Sequence, residues 1–280
     1  MARKRRIEYR GAMYHVIQRG NNREYIFEES LYKGYLIKLM KETKEKHDFR
    51  LYGYVIMDNH YHMIIQTIDM PISKIMLSIN SKYGKYYNYK ENRTGPVFEN
   101  RYKSVLVENE GYLLQLLKYI HLNPLRAGMC SSMDEYKWSS DVFYRRNMKN
   151  IVDIDGILDM LSSNRMEAIK KYIEYMDGEF RAEQFDPSTF EDVEAIGSNR
   201  FKEQMLTEYN TDRMNLDDIL KEVCPSEDEY NLIKSSSRKR YLMEYKAEYV
   251  KKARDFNYSY REIGENIGIS DVAAIKLGER

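Results

Sequence analysis

The sequence predicts an α+β fold, and three observations lead there. Four short runs rich in β-branched and aromatic residues cover Ala12 to Gln18, Leu51 to Met57, His60 to Thr67 and Tyr102 to Val107. Segments with apolar residues at helical spacing lie between and after them. Beyond residue 150 the pattern is helical throughout. The order β-α-β-β-α-β-α is that of a ferredoxin-like antiparallel sheet with helices on it and one helix added, followed by an all-helical C-terminal region.

Each element has its own signal. Ala12 to Gln18 is closed by the turn-forming Gly20-Asn21-Asn22. Glu28 to His47 is rich in Lys and Glu and spaces Leu36, Leu39 and Met40 as one helical stripe. Asp58-Asn59 between two β-rich runs is a hairpin signal. Pro71 to Tyr87 places Ile72, Ile75, Met76 and Ile79 on one helix face, and Arg93-Thr94-Gly95-Pro96 is a loop. A third helix runs from Glu110 to about Leu122, where Asn123-Pro124 is expected to stop it.

A chain of 280 residues is long enough for about two domains. No apolar run reaches the roughly 18 residues of a membrane span, which excludes a transmembrane reading. Met1 to Arg6 is charged with no apolar run behind it, so no secretory signal is expected and the expected location is cytoplasmic. Two cysteines, Cys130 and Cys224, exclude a disulfide scaffold and a cysteine zinc cluster. Tyrosine is abundant, with 26 residues, and histidine scarce, with 5, so each histidine's position is informative.

A net charge of +1 hides strong segregation. Residues 1–150 hold 26 Lys and Arg against 16 Asp and Glu, residues 151–233 hold 8 against 21, and residues 234–280 hold 11 against 7. Two basic segments suit a polyanion such as nucleic acid. The expected organisation is a catalytic domain over 1–150, an acidic helical linker region over 151–233 and a DNA-binding segment over 234–280.

His60-Tyr61-His62 carries the first chemical signal. Residues i and i+2 of a strand share a face, so two imidazoles project together and can hold one divalent metal. Alone, His-x-His is more often a surface pair with no ligand. Tyr119 and Asn123 stand four apart on the third helix and share its face. There Tyr119 could act as a nucleophile, with the Asn123 carbonyl oxygen as a third metal ligand. The bland alternative is a packed tyrosine and a helix-ending asparagine.

Taken together these motifs resemble the HUH single-tyrosine transposases, in particular the REP-associated tyrosine transposase branch. The resemblance covers about residues 7 to 145. It rests on Met57 to His62 (MDNHYH), Tyr119 to Gly128 (YIHLNPLRAG) and Trp138-Ser139-Ser140, with Tyr14-His15-Val16, Arg19-Gly20 and Pro96 to Ser104 (PVFENRYKS). The middle residue of HUH is usually hydrophobic and here is Tyr61. The resemblance implies that His60 and His62 bind Mg²⁺ or Mn²⁺. It implies that Tyr119 attacks a DNA phosphodiester to give a 5′-phosphotyrosine and a free 3′-hydroxyl, and that Asn123 completes the metal site, where glutamine is the more usual residue. The implied substrate is single-stranded, hairpin-forming DNA, which is nicked and rejoined, and homodimers are common in such enzymes. His121 is expected to be structural or to contact DNA.

Single strands are held by cationic grooves with aromatic platforms. Arg3, Lys4, Arg5 and Arg6, with Arg10, form a basic arm, while Arg101, Lys103 and Arg126 flank the proposed site in sequence. At the C-terminus, Tyr241 to Phe256 reads as a helix, Tyr258 to Gly264 begins a second, and Ile267-Gly268-Ile269-Ser270 makes a turn. Asp271 to Gly278, capped by Ser270 and carrying Lys276, would be a recognition helix. This pattern resembles a helix-turn-helix like the duplex-binding domain of bacterial replication initiators. Two rivals to the transposase remain: a non-cleaving DNA-binding regulator with the same fold, and a metal phosphoesterase that uses water.

Overall fold

In the computed structural model, the residues described are 6–178, 187–191, 193, 195–210, 214–237, 239–256, 258 and 260–278. Arg3, Lys4 and Arg5 of the basic arm lie outside them. The chain divides into two compact units, residues 1–205 and 206–280.

The first unit is built on a sheet of β1 (Met13–Arg19), β2 (Phe49–Ile56), β3 (His60–Thr67), β4 (Lys103–Val107) and β5 (Ala195–Ile196), in the order β2-β3-β1-β4-β5. The first four strands are antiparallel neighbours, and with α1 (Ser30–His47) and α2 (Ile72–Lys90) they form the expected ferredoxin-like α+β sandwich. Directly paired residues point to the same face of a sheet. Ile17 pairs His62 and Arg19 pairs His60, while on the other face Gln18 pairs Tyr61.

That second face receives α1 and α2. The Tyr61 hydroxyl donates to Asn80 Oδ1 at 2.6 Å, and Asn80 Nδ2 donates to Gln18 Oε1 at 2.9 Å. Tyrosines also join the two helices: Tyr35 stacks on Tyr86 at 3.7 Å between centroids, and Tyr32 meets Tyr87 edge-on at 5.0 Å. Much of the tyrosine excess is spent here, on rings that bury apolar area while keeping a polar tip.

The first face receives α3 (Leu113–Arg126), on which Tyr119 sits. The close approach depends on Gly53 of β2, where a Cβ would collide with Leu117 of α3 and stand 3.2 Å from Ser140 Oγ. The expected stop at Asn123-Pro124 does not occur, and Pro124 lies inside the helix. Proline lacks the N–H that would bond the Ile120 carbonyl, and its ring crowds that oxygen. So near the C-terminus that loss is small, and Ala127 N–H still reaches Asn123 O at 3.0 Å.

The segment after residue 150 does not separate from this unit. Ile151, Val152, Ile154, Ile157 and Leu158 join the same core, with Tyr172, Met176 and Phe190 from further along. The short helices α4 (Asp141–Arg145), α5 (Asp155–Leu161), α6 (Arg165–Asp177) and α7 (Pro187–Phe190) cover the α3 side. Helix α8 (Asn199–Asn210) follows β5. The charge shift near 150 therefore marks a change of surface rather than of packing. β5 is an exception to an all-helical second half; it pairs parallel with β4, Leu106 opposite Ala195.

The β2 edge of the sheet is covered, and β5 covers the end of β4. On β2, Asp153 accepts from Leu51 N–H at 2.7 Å and Ser140 Oγ from Tyr54 N–H at 2.8 Å, while Trp138 O accepts from Ile56 N–H at 3.0 Å. The Tyr144 and Tyr136 hydroxyls donate to the Tyr52 and Ile56 carbonyls. On the other edge β5 pairs β4, and Glu108 beyond it accepts from Ser198 N–H at 2.6 Å.

The second unit holds α9 (Leu216–Val223), α10 (Glu227–Lys234), α11 (Leu242–Asp255), α12 (Tyr260–Ile267) and α13 (Asp271–Gly278) around a core of its own that includes Leu220, Ile233, Tyr249, Val250 and Ile263. Asn266 bridges α9 and α11, donating to Asp217 at 2.9 Å and accepting from the Tyr249 hydroxyl at 2.8 Å. Gly268 takes φ +65 in the turn between α12 and α13, where any side chain would meet Ser236. Ser270 Oγ caps α13, accepting from Ala273 N–H at 3.2 Å. Among the described residues no helix is long and apolar enough to cross a membrane.

Candidate active site

Strand β3 places His60 and His62 on the face that α3 covers, and β1 adds His15 to it. The rings of His60 and His62 lie 5.0 Å apart, and that of Tyr119 stands edge-on 6.2 Å from His62 and 6.1 Å from His15. His15, His62 and Tyr119 are wholly buried, while His60 is half-buried. Two imidazoles on rigid strand backbone and a phenol on the facing helix thus meet in one place.

The hydrogen bonds fix where the lone pairs are. His15 Nδ1 lies 2.9 Å from the Phe190 carbonyl oxygen, and His15 Nε2 lies 2.9 Å from His62 Nδ1. His60 Nδ1 lies 2.5 Å from Asn59 Oδ1, an acceptor, so it is the protonated nitrogen of that ring. His62 Nε2 is buried with no hydrogen-bond partner among the described residues.

Burial pushes all three histidines toward the neutral form. His15 is lowered to about 4, against a smaller upward pull from the Phe190 carbonyl, with Lys103 adding to the fall. His60 is lowered to about 4 by burial and then by Arg19. His62 falls well below the usual histidine value through burial, then through His60, His15 and Arg19. Neutral imidazoles at pH 7 are the form that ligates metal.

One carboxylate enters the site from far along the chain. Glu191 Oε1 accepts from the Tyr119 hydroxyl at 2.5 Å and stands 3.8 Å from His62 Nε2. Its neighbour Phe190 stacks on the Tyr119 ring at 4.4 Å. Neither Glu191 nor the bonding of His15 was legible in the sequence. Glu191 lies 72 residues from Tyr119 in a strongly acidic stretch, and His15 stands out only as one of 5 histidines and within the Tyr14-His15-Val16 match, neither of which names its partners.

Asn123 is half-buried on α3, and its Nδ2 is a buried polar atom without a partner among the described residues. Among those residues no group of three or more His, Cys, Asp and Glu is arranged to hold a metal ion. The donor chemistry nevertheless fits a divalent cation: two neutral imidazoles, one with an orphaned buried nitrogen, beside an oxygen of Glu191.

A cleft of about 270 Å³ opens beside Glu191, lined by Gln18, Arg19, Asn100, Arg101 and Lys103 among others. Arg101 and Lys103 are exposed there, beside the site as expected, and Arg19 joins them. Exposed Arg126 has its guanidinium 6.0 Å from the Tyr119 ring centroid. Arg6 is instead stacked over Tyr102 at 3.7 Å, with its guanidinium donating to the Tyr102 carbonyl. Lys276 is exposed on α13 of the second unit.

His121 belongs to a separate buried network. Its Nε2 pairs with Ser140 Oγ at 2.8 Å, and Asp141 accepts from Tyr172 at 2.8 Å and from Arg145 at 2.5 Å. These groups tie α3 to α4 and α6, a structural role.

Residues 8–123 match the family model described as Transposase IS200 like. Among solved structures the chain is similar to a REP-associated tyrosine transposase bound to a REP hairpin, at 17% identity and a TM-score of 0.45 over 55% of this chain and 93% of that one. It is also similar to a protein described as a transposase of Deinococcus radiodurans, at 14% identity and a TM-score of 0.30 over 43% of this chain and 94% of that one. No curated protein matches the chain. Strands β1 to β4, both paired histidines and Tyr119 lie inside the segment, residues 8–123, that matches this IS200-like transposase model.

Proposed function

We propose that this protein is a transposase, a metal-dependent, single-tyrosine enzyme that nicks single-stranded, hairpin-forming DNA and rejoins it. The observation that carries this reading is the Tyr119 hydroxyl facing His62 Nε2 across one carboxylate oxygen. His60 and His62 would hold Mg²⁺ or Mn²⁺, with Asn123 as the third ligand. A bound metal supplies Lewis-acid stabilisation of charge on the non-bridging phosphate oxygens.

Tyr119 is the nucleophile. Its O–H bond breaks as its oxygen bonds phosphorus, with the proton passing to solvent water, and the P–O3′ bond breaks as the departing 3′-oxygen takes one proton back from solvent, so none is gained or lost overall. Glu191 accepts the phenolic hydrogen bond in the resting site and orients the hydroxyl. A scissile phosphate cannot share that space, so the carboxylate turns aside as DNA enters. The phosphotyrosyl ester conserves the energy of the broken linkage, so a 3′-hydroxyl can reverse the step without ATP. Arg19, Arg101 and Lys103 line the approach and suit the strand's phosphates. In the second unit, α13 presents Val272, Ile275 and Lys276 to solvent, a surface suited to a duplex groove.

The test is incubation with 5′- and 3′-labelled hairpins and Mn²⁺, resolved on a denaturing gel beside Tyr119→Phe. A covalent adduct carrying the 3′ fragment, lost in the variant, is the expected result. Cleavage without an adduct, insensitive to the substitution, would replace this reading with a water-using phosphoesterase. Retarded but uncut DNA across a panel of hairpins would replace it with a regulator.

A further inference from the structure

The Phe190 carbonyl, His15 and His62 lie in a hydrogen-bonded series that ends in the candidate site. We infer that His15, anchored on the Phe190 carbonyl, is a positioning residue that fixes His62 in its Nδ1–H tautomer and so turns the Nε2 lone pair toward Tyr119.

The argument is one of hydrogen-bond direction. A carbonyl oxygen only accepts, so at 2.9 Å His15 Nδ1 must carry the proton that faces Phe190. A neutral imidazole has one N–H, which leaves His15 Nε2 as an acceptor. Its neighbour at 2.9 Å is His62 Nδ1, which must therefore be the donor. His62 then has its own single proton placed, and Nε2 is left as a bare lone pair. That atom is the buried nitrogen without a hydrogen-bond partner among the described residues.

Packing holds the series rigid. The His15 and His62 rings stack at 5.1 Å and 18°, and both are fully buried, so neither ring can flip without opening the core. The anchor lies 175 residues from His15, on the same short segment whose Phe190 ring stacks on Tyr119. One segment therefore touches both the nucleophile and, through His15, the imidazole opposite it. Groups behind a metal ligand typically fix its tautomer and raise its basicity.

The lone pair's use as a metal ligand rests on the proposed function; the tautomer does not. The experiment is ¹⁵N–¹H long-range correlation spectroscopy of the histidine rings in the metal-free full chain, with Mn²⁺ titration by calorimetry. Wild type, His15→Phe and His15→Gln are compared. Wild type is expected to show His62 as Nδ1–H. His15→Phe keeps the ring but removes the acceptor, so His62 should lose its single tautomer and Mn²⁺ should bind about 10–100-fold more weakly. His15→Gln keeps an oxygen acceptor near the position of Nε2 and should restore most of both readouts. An Nε2–H tautomer for His62 in wild type would overturn the inference, as would His15→Phe leaving tautomer and affinity unchanged. If Mn²⁺ fails to bind wild type, the metal reading falls while the spectrum still judges the relay. If His15→Phe does not fold, the wild-type and His15→Gln spectra decide.

Discussion

Lowering the pH should unfold the first unit well before its carboxylates protonate. His15, His60 and His121 are each held neutral in the fold with values of about 4, mainly by burial, against 6.5 when unfolded. A folded value below the unfolded one means the unfolded chain binds more protons between them. The associated stability is complete above pH 6.5 and is lost as pH falls toward 4. Between those two values a histidine loses about 1.4 kcal/mol for every pH unit of acidification. By pH 5 each one therefore costs about 2 kcal/mol and the three about 6, against a typical domain stability of about 5–15. His62, also lowered, acts in the same direction. Urea unfolding at pH 7.5, 6 and 5 would measure this, followed by fluorescence of Trp138, the one tryptophan, which packs against the first core. The midpoint should fall steeply between pH 6.5 and 5. An unchanged midpoint down to pH 5, with loss only near pH 4, would refute the reasoning.

Gly53→Ala should destabilise the first unit by about 1–3 kcal/mol in urea, because the added methyl meets Leu117 in a filled core. It should also slow adduct formation, since Leu117 and Tyr119 share a helix. Tyr172→Phe removes a buried donor to Asp141 and should cost about 1–3 kcal/mol in thermal or urea unfolding, with DNA binding unaffected. Replacing Arg101 and Lys103 together by Ala should weaken binding to all single strands alike. The slope of log K against log salt should fall by about 1.4, the value for two single-strand phosphate contacts. An unchanged slope would place the strand elsewhere.

The local rules read the frame well. Period-two alternation placed His60 and His62 on one face, and i, i+4 spacing put Tyr119 and Asn123 on one side of α3, before any partner was known. Pro124 misled because its signal is local, whereas packing on β2 carries the helix through it. The charge boundary at 150 misled for a different reason. Surface charge is set by solvent-facing positions, while Ile154, Leu158 and Tyr172 in the acidic stretch continue the first core. His15 and Glu191 gain their meaning only from contacts 47 and 72 residues away in sequence. No spacing within a single element encodes such distances.

The covered β2 edge limits how this molecule can meet others. An open edge strand is a ready template for another chain, and aggregation or strand-swapped assembly commonly starts there. Here the outward groups of β2 are taken up by Trp138, Ser140 and Asp153, and β5 lies along β4. Association by strand addition would first have to strip those bonds away. On the β2 side, self-assembly or docking that leaves the fold intact is therefore confined to helix faces and loops. Even at high concentration the β2 edge offers no seed for a growing β-stack.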